Sequence, residues 1–233
     1  MNYNLLKYIL CLAIFIFSWL FGSRNLDLHN TVLSILDTNE PYSGYNSMLR
    51  LGTINALLFF ILLPPLPKVQ LLIRRSRQQS LTCHIIRYSW ISLAFTSLFI
   101  GSSLLLNRYR FSHAILSSTH FYRSMMLYAV IMFLFYLWLG LVFIIISLIF
   151  KTHTQALSIS FLFSALMTYG GLFLFFPSPI RSFEILDTFI KASGAVNLIG
   201  YSLILANLIT LSIGTALIAS LLFNRKDFLN ESD

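Results

Sequence analysis

Acidic residues are scarce in this chain: eight Asp and Glu stand against sixteen Lys and Arg, giving a net charge of +8 over 233 residues. Only 10% of residues are charged, 57% are apolar and 22 are Phe, a balance that cannot clothe a water-facing surface of ordinary polarity. Cysteine is nearly absent. Cys11 lies in an apolar run and Cys83 in a basic one, so neither a disulfide nor a cysteine metal site is implied. There is no G-x-x-x-x-G-K-[ST] phosphate loop, which removes the usual means of binding ATP. No Asp, Glu, Lys, Arg or His is expected well inside an apolar run. A charge at a helix centre costs about 2.5 to 3.5 kcal/mol and is normally kept for proton relays, ion paths or voltage sensing. Those functions therefore lack a carrier. The basic residues are divided among short loops with no exposed aromatic-basic surface, so nucleic acid is not an expected partner.

What the chain has instead is long apolar runs. Six stretches, at about 5–22, 51–67, 89–106, 125–150, 155–176 and 198–223, are long and apolar enough to span. At about 1.5 Å per residue they cover ~26 to ~39 Å, against a hydrocarbon core of roughly 30 Å. They are continuously apolar rather than alternating, which favours helices over barrel strands. The expected fold is all-α, a single polytopic membrane domain over residues 1–233. The first run has one preceding Lys7 and no small-x-small cleavage pattern after it, so it reads as a retained signal anchor.

Orientation follows from the segment KVQLLIRRSRQQSLTCHIIRY at 68–88, which holds Lys68, Arg74, Arg75, Arg77 and Arg87 and no acid. Basic loops stay cytoplasmic. Both termini are then cytoplasmic, and the chain is a multi-pass protein of the cell (inner or plasma) membrane. Nine Lys or Arg fall inside and seven outside; Arg50 is among the outer ones, as are Arg108, Arg110 and Arg123 in an expected outer loop 107–124.

Two runs repeat small residues every fourth position. The fifth carries Ala156, Ser160, Ser164 and Thr168, and the sixth carries Ser202, Ala206, Thr210 and Gly214. Small residues four apart share a helix face and let backbones approach closely in lipid. Spans 5 and 6 are expected to be interior, for helix packing or, through Thr168, Asn207 and Thr210, for a substrate path. Span 4, bulky with Phe133, Phe135, Tyr136, Trp138 and Phe143, is expected to face lipid over much of its surface. Residues 177–197 suggest an outer amphipathic helix starting at Ser178-Pro179, with Ile180, Phe183, Leu186, Phe189 and Ile190 on one face and Glu184, Asp187 and Lys191 on the other.

The basic segment 68–88 follows Pro64, Pro65 and Pro67, which break span 2. Leu71, Leu72 and Ile73, the RRSR run, then Leu81, Ile85 and Ile86 would make a short helix across the ends of spans 2 and 3. One reading is a topological determinant resting on anionic lipid. The other is a docking element for a soluble partner.

Six spans with both ends inside, a sizeable loop after span 1, this basic link, a very short turn after span 4 and an outer segment before span 6 resemble the permease subunit of a type-2 ABC exporter. The likeness is to the small bacterial permeases of peptide or lantibiotic resistance, and it is one of layout along nearly the whole chain. The resemblance implies that the link carries a coupling helix at 69–86, with Leu72, Arg74, Arg75, Arg77, Leu81 and Arg87 meeting an ATP-binding cassette subunit. It implies that ATP and Mg are bound by that subunit, with no cofactor in this chain, and that a second permease copy or a related permease completes the path. A peptide or other amphipathic substrate would be moved, and the chain itself would not be an enzyme. The alternative is a non-transporting immunity or assembly factor that binds a membrane partner or a toxin. An intramembrane enzyme would have to use His113, His120 and His153, but His153 is expected on the opposite side from the other two and no metal-ligand spacing joins them.

Overall fold

In lipid each backbone N–H and C=O must be satisfied within the protein, so continuous apolar runs fold as helices. The computed structural model describes residues 3–22, 45–66, 77–118, 120–150, 152–173, 178–183 and 196–225. Among these the elements are helical throughout: α1 (Tyr3–Gly22), α2 (Tyr45–Arg50), a π-helical segment (Leu51–Asn55), α3 (Ala56–Leu62), α4 (Arg77–Arg110), α5 (His113–Ser118), α6 (Phe121–Ile149), α7 (His153–Phe173), a 3₁₀ turn (Pro179–Phe183) and α8 (Leu198–Arg225). Among the described residues, five stretches are long and apolar enough to cross a membrane: Tyr45–Leu62, Gln79–Arg110, Phe121–Ile149, His153–Phe173 and Leu198–Arg225. The apolar stretch Leu5–Leu20 of α1 is shorter.

The second expected span begins earlier than the apolar run suggests, at Tyr45 rather than 51, and stops at Leu62. Leu63 is extended, with φ −70° and ψ 131°. Pro64 forces this, because its ring disfavours the helical region for the residue before it. The orphaned carbonyls at this end find partners: Lys7 Nζ donates to Ile61 O at 2.7 Å and Tyr88 Oη to Pro64 O at 2.8 Å. A cation at a helix C-terminus also opposes the negative end of the helix dipole.

The 20 uncharged residues between Arg87 and Arg108 are about 30 Å of helix, one hydrocarbon thickness. The first 11 residues of α4, Arg77 to Arg87, therefore extend roughly 16 Å past the membrane-crossing part. A separate helix lying across the ends of spans 2 and 3 was expected from Leu81, Ile85 and Ile86. They are instead in the same helix as span 3, because no Gly or Pro interrupts 77–100. Leu72, Arg74 and Arg75 lie outside the described residues. Most of the expected outer loop 107–124 is helical too, as the end of α4, α5 and the start of α6. His120, with φ 52°, takes the left-handed backbone that turns the chain into α6.

α6 is the centre of the bundle. It packs against α8, α4, α7, α5, α3 and the 3₁₀ turn. Of its most apolar window 61% is buried, against 28% for α4 and α7 and 17% for α8. This corrects the expectation that span 4 faces lipid and span 6 lies inside. Hydrophobicity does not distinguish the two in a bilayer, since lipid tails are as apolar as a core. Large aromatic rings fill the middle instead. Phe95 and Tyr136 meet edge to face at 4.8 Å between centroids, as do Phe135 and Phe183 at 5.2 Å, and Phe59 meets Tyr136 tilted at 5.1 Å. Such pairs contribute about 0.5 to 1.5 kcal/mol each beyond their area.

Phe183 comes from the 3₁₀ turn, where Pro179, Ile180 and Ser182 are also buried. The described start of the outer segment thus inserts into the bundle against α6 and α7. Gly171 allows it, because a Cβ there would come within 2.5 Å of Ser178 Cβ. Glu184, Leu186, Asp187, Phe189, Ile190 and Lys191 lie outside the described residues.

Candidate functional site

A charge inside a membrane-crossing helix is a candidate site by default, since it is retained against its insertion cost. Arg50, expected in the outer loop, lies inside the crossing stretch Tyr45–Leu62, five residues from Tyr45 or about 7.5 Å along the axis. It is partly buried. Its Nε donates to Asn46 O at 3.2 Å and its Nη1 to Ser18 O at 3.0 Å. All eight acidic residues of the chain lie outside the described residues, so none of the described residues offers Arg50 a carboxylate.

Immediately after Arg50 the helix widens to π over Leu51–Asn55. Bonds of the i→i+5 type place residues five apart on successive turns of one face, and such segments frequently accompany functional sites. Arg50 and Asn55 consequently line one cleft together, with Phe15, Ser18, Trp19, Ser47, Leu51, Phe99, Ser103 and Tyr128. The cleft has a volume of about 40 Å³ and is open to the exterior. Asn55 is 4% exposed, and its side chain makes no hydrogen bond among the described residues. At the cleft's edge the Arg110 guanidinium sits over the Trp19 ring at 5.7 Å.

The π segment is held by two other helices. Tyr136 Oη of α6 donates to Leu51 O at 3.0 Å, and Ser164 Oγ of α7 donates to Gly52 O at 2.7 Å. These hydroxyls re-satisfy carbonyls at the change of helix type, as irregular backbone at membrane depth requires. Thr168 Oγ1 lies where a side chain at Gly52 would begin. The α7 stripe of Ala156, Ser160, Ser164 and Thr168 is buried throughout, and α7 packs on the π segment, α3 and α6.

The α8 stripe is placed differently. Ser202, Ala206, Asn207 and Thr210 are exposed, and a Cβ on Gly214 would meet nothing within 4 Å. The structure does not bring the α7 and α8 stripes together, because α8 packs chiefly on α6 through a face holding Leu208, Ser212, Ala219 and Phe223. Of the expected docking residues, Leu81 is buried and Arg87 exposed on the projecting part of α4, which Arg77 opens. His113 packs against Tyr122 and His153 against Phe143, at opposite ends of α6. Among the described residues no group of His, Cys, Asp and Glu could hold a metal ion.

Arg50 and Asn55 were missed in sequence for a physical reason. At 3.6 residues per turn a separation of five puts side chains on different faces, and only the π segment aligns them. The signal available was a Gly and a Thr beside an Arg-to-Asn spacing of five, which is weak. No protein-family model, curated protein or solved structure matches the chain.

Proposed function

We propose that the chain is the permease subunit of an ATP-driven exporter that moves a peptide or other amphipathic substrate across the cell membrane, with ATP and Mg held by a separate ATP-binding cassette subunit. One observation carries this reading: the described part of the basic segment, from Arg77 to Arg87, is continuous with a membrane-crossing helix. A partner pressing on the Arg77–Arg87 end of α4 moves the crossing part of the same rigid rod, which contacts α1 and α6. Gln79, Thr82, Cys83, Ile86 and Arg87 are exposed there. The described chain ends support the layout, since Lys7 reaches Ile61 and Arg225 lies beside Ile149, all at the same end as the basic link. On this reading that end is cytoplasmic.

Arg74→Glu, Arg75→Glu and Arg77→Glu together are expected to leave membrane insertion intact while abolishing both co-purification of an ATPase and partner-stimulated transport. An ATPase recovered equally with the triple variant contradicts the assignment of the link.

The second reading is a non-transporting immunity or assembly factor that binds a membrane partner. It is favoured by the outward stripe of Ser202, Ala206, Thr210 and Gly214, a surface suited to another helix. The exporter also requires a second permease copy or a related permease, so the stripe alone does not separate the two. Recovery of only a membrane protein or a toxin in a detergent pull-down, with no ATPase, favours the binder.

A further inference from the structure

The cleft around Arg50 lies at the end of the bundle away from the basic link, and the docking reading makes no use of it. Its lining divides into two parts. Arg50 and the buried Asn55 amide are polar, whereas Phe15, Trp19, Leu51 and Phe99 form apolar walls. An Arg guanidinium has five N–H donors. Backbone carbonyls take one on Nε and one on Nη1, and no other partner is found among the described residues. Three donors remain, in a planar fork suited to two oxygens of one oxyanion. The Asn55 amide, in the lining of the same cleft, adds a donor.

The position of the cleft narrows the ligand. Trp19, Tyr45 and Arg110 gather at this end of the bundle, and aromatic and cationic side chains of this kind sit at the level of lipid headgroups. Arg50 is only about 7.5 Å along the helix from Tyr45. An oxyanion bound here would have apolar walls on its flank and bilayer beside it. A free inorganic anion makes no use of those walls.

We propose that this cleft binds the anionic phosphate headgroup of an amphiphile, with the phosphate on the Arg50 guanidinium and the Asn55 amide and the adjoining apolar chain along Phe15, Trp19 and Phe99. A net anion neutralises a guanidinium that no described residue pairs, whereas a zwitterionic headgroup brings its own cation into the cleft.

The test uses the full-length protein in detergent micelles, titrated with dioctanoyl phosphatidylglycerol and followed by thermal shift. Dioctanoyl phosphatidylcholine and inorganic phosphate serve as the comparison ligands. Saturable binding of phosphatidylglycerol is expected, about tenfold or more tighter than phosphatidylcholine, with inorganic phosphate failing to displace it at millimolar concentration. Arg50→Gln and Asn55→Asp should each weaken binding by about tenfold or more, and Arg50→Lys by less. Asn55→Asp is isosteric, so it decides the matter should Arg50→Gln fail to fold. Equal binding by the variants and the wild type overturns the proposal, as does equal affinity for the two lipids. Displacement by phosphate alone overturns the amphiphile as occupant. Binding that emerges only when Asp27→Asn, Asp37→Asn and Glu40→Gln are combined also overturns it, because the site then belongs to the chain's own carboxylates.

Discussion

Ser164 Oγ donates a 2.7 Å hydrogen bond to the Gly52 carbonyl across 112 residues of sequence, tying α7 to the one non-α segment of the crossing stretch Tyr45–Leu62. One turn along α7, Thr168 occupies the space beside Gly52 that a methyl group would need. The close approach and the hydrogen bond depend on each other. Together they hold the π segment and, through it, the shared orientation of Arg50 and Asn55.

Gly52→Ala should destabilise the protein by about 1 to 3 kcal/mol through overpacking. Thr168→Ala in the same chain should restore part of the loss, because it removes Oγ1 and Cγ2, two of the three atoms the new methyl group meets, and leaves Cβ at 2.8 Å. Thermal unfolding in detergent of the two single variants and the double variant reads the coupling. Additive losses would show that the two positions do not compete for this space.

Tyr136→Phe and Ser164→Ala each leave a backbone carbonyl of the π segment without its hydroxyl donor. Each should cost about 0.6 to 2 kcal/mol, the range for interhelical hydrogen bonds in membranes. Ser212→Ala serves as the control, since Ser212 Oγ bonds only back to Leu208 O within its own helix. A loss in that control as large as in the other two would remove the special role of the π segment.

On the two small-residue stripes, opposite responses are expected from similar substitutions. Ser160→Leu enters a site that is 0% exposed and should destabilise the single chain. Gly214→Leu, where nothing lies within 4 Å of the new Cβ, should change stability by no more than about 0.5 kcal/mol. It should nevertheless weaken association with a second helix, read by energy transfer between labelled copies in liposomes. A Gly214→Leu chain that associates as well as the wild type would show that this face is turned to lipid.

The two cysteines report on topology without further engineering. Cys83 is exposed on the projecting part of α4 and Cys11 is buried in α1. In intact cells a membrane-impermeant maleimide should label neither, and after lysis it should label Cys83 while Cys11 waits for denaturation. Labelling of Cys83 in intact cells would place the basic link outside and reverse the orientation.

The helices were legible because continuous apolarity is a backbone requirement in lipid, and their ends near Pro64 and Pro65 were legible because proline chemistry is local. The neighbours of each helix were not. Phe135, Tyr136 and Phe143 suited lipid as well as they suit the centre of the bundle, and only the packing of α4, α7 and α8 around them decides the matter. In α8 the spacing of Ser202, Ala206, Thr210 and Gly214 marks a face but not what covers it. The cleft was hidden for a different reason: Arg50 falls before the apolar run at 51, and its alignment with Asn55 exists only in a π register.

The proposed docking of an ATPase on the basic end of α4 is tested most directly at Cys83, by crosslinking in native membranes with a reagent joining a thiol to a nearby amine. The adduct recovered by mass spectrometry should contain a soluble protein carrying a G-x-x-x-x-G-K-[ST] phosphate loop, and Arg74→Glu, Arg75→Glu and Arg77→Glu together should abolish it. An adduct containing only a membrane protein, or no protein adduct from a labelled and accessible Cys83, would contradict the exporter reading.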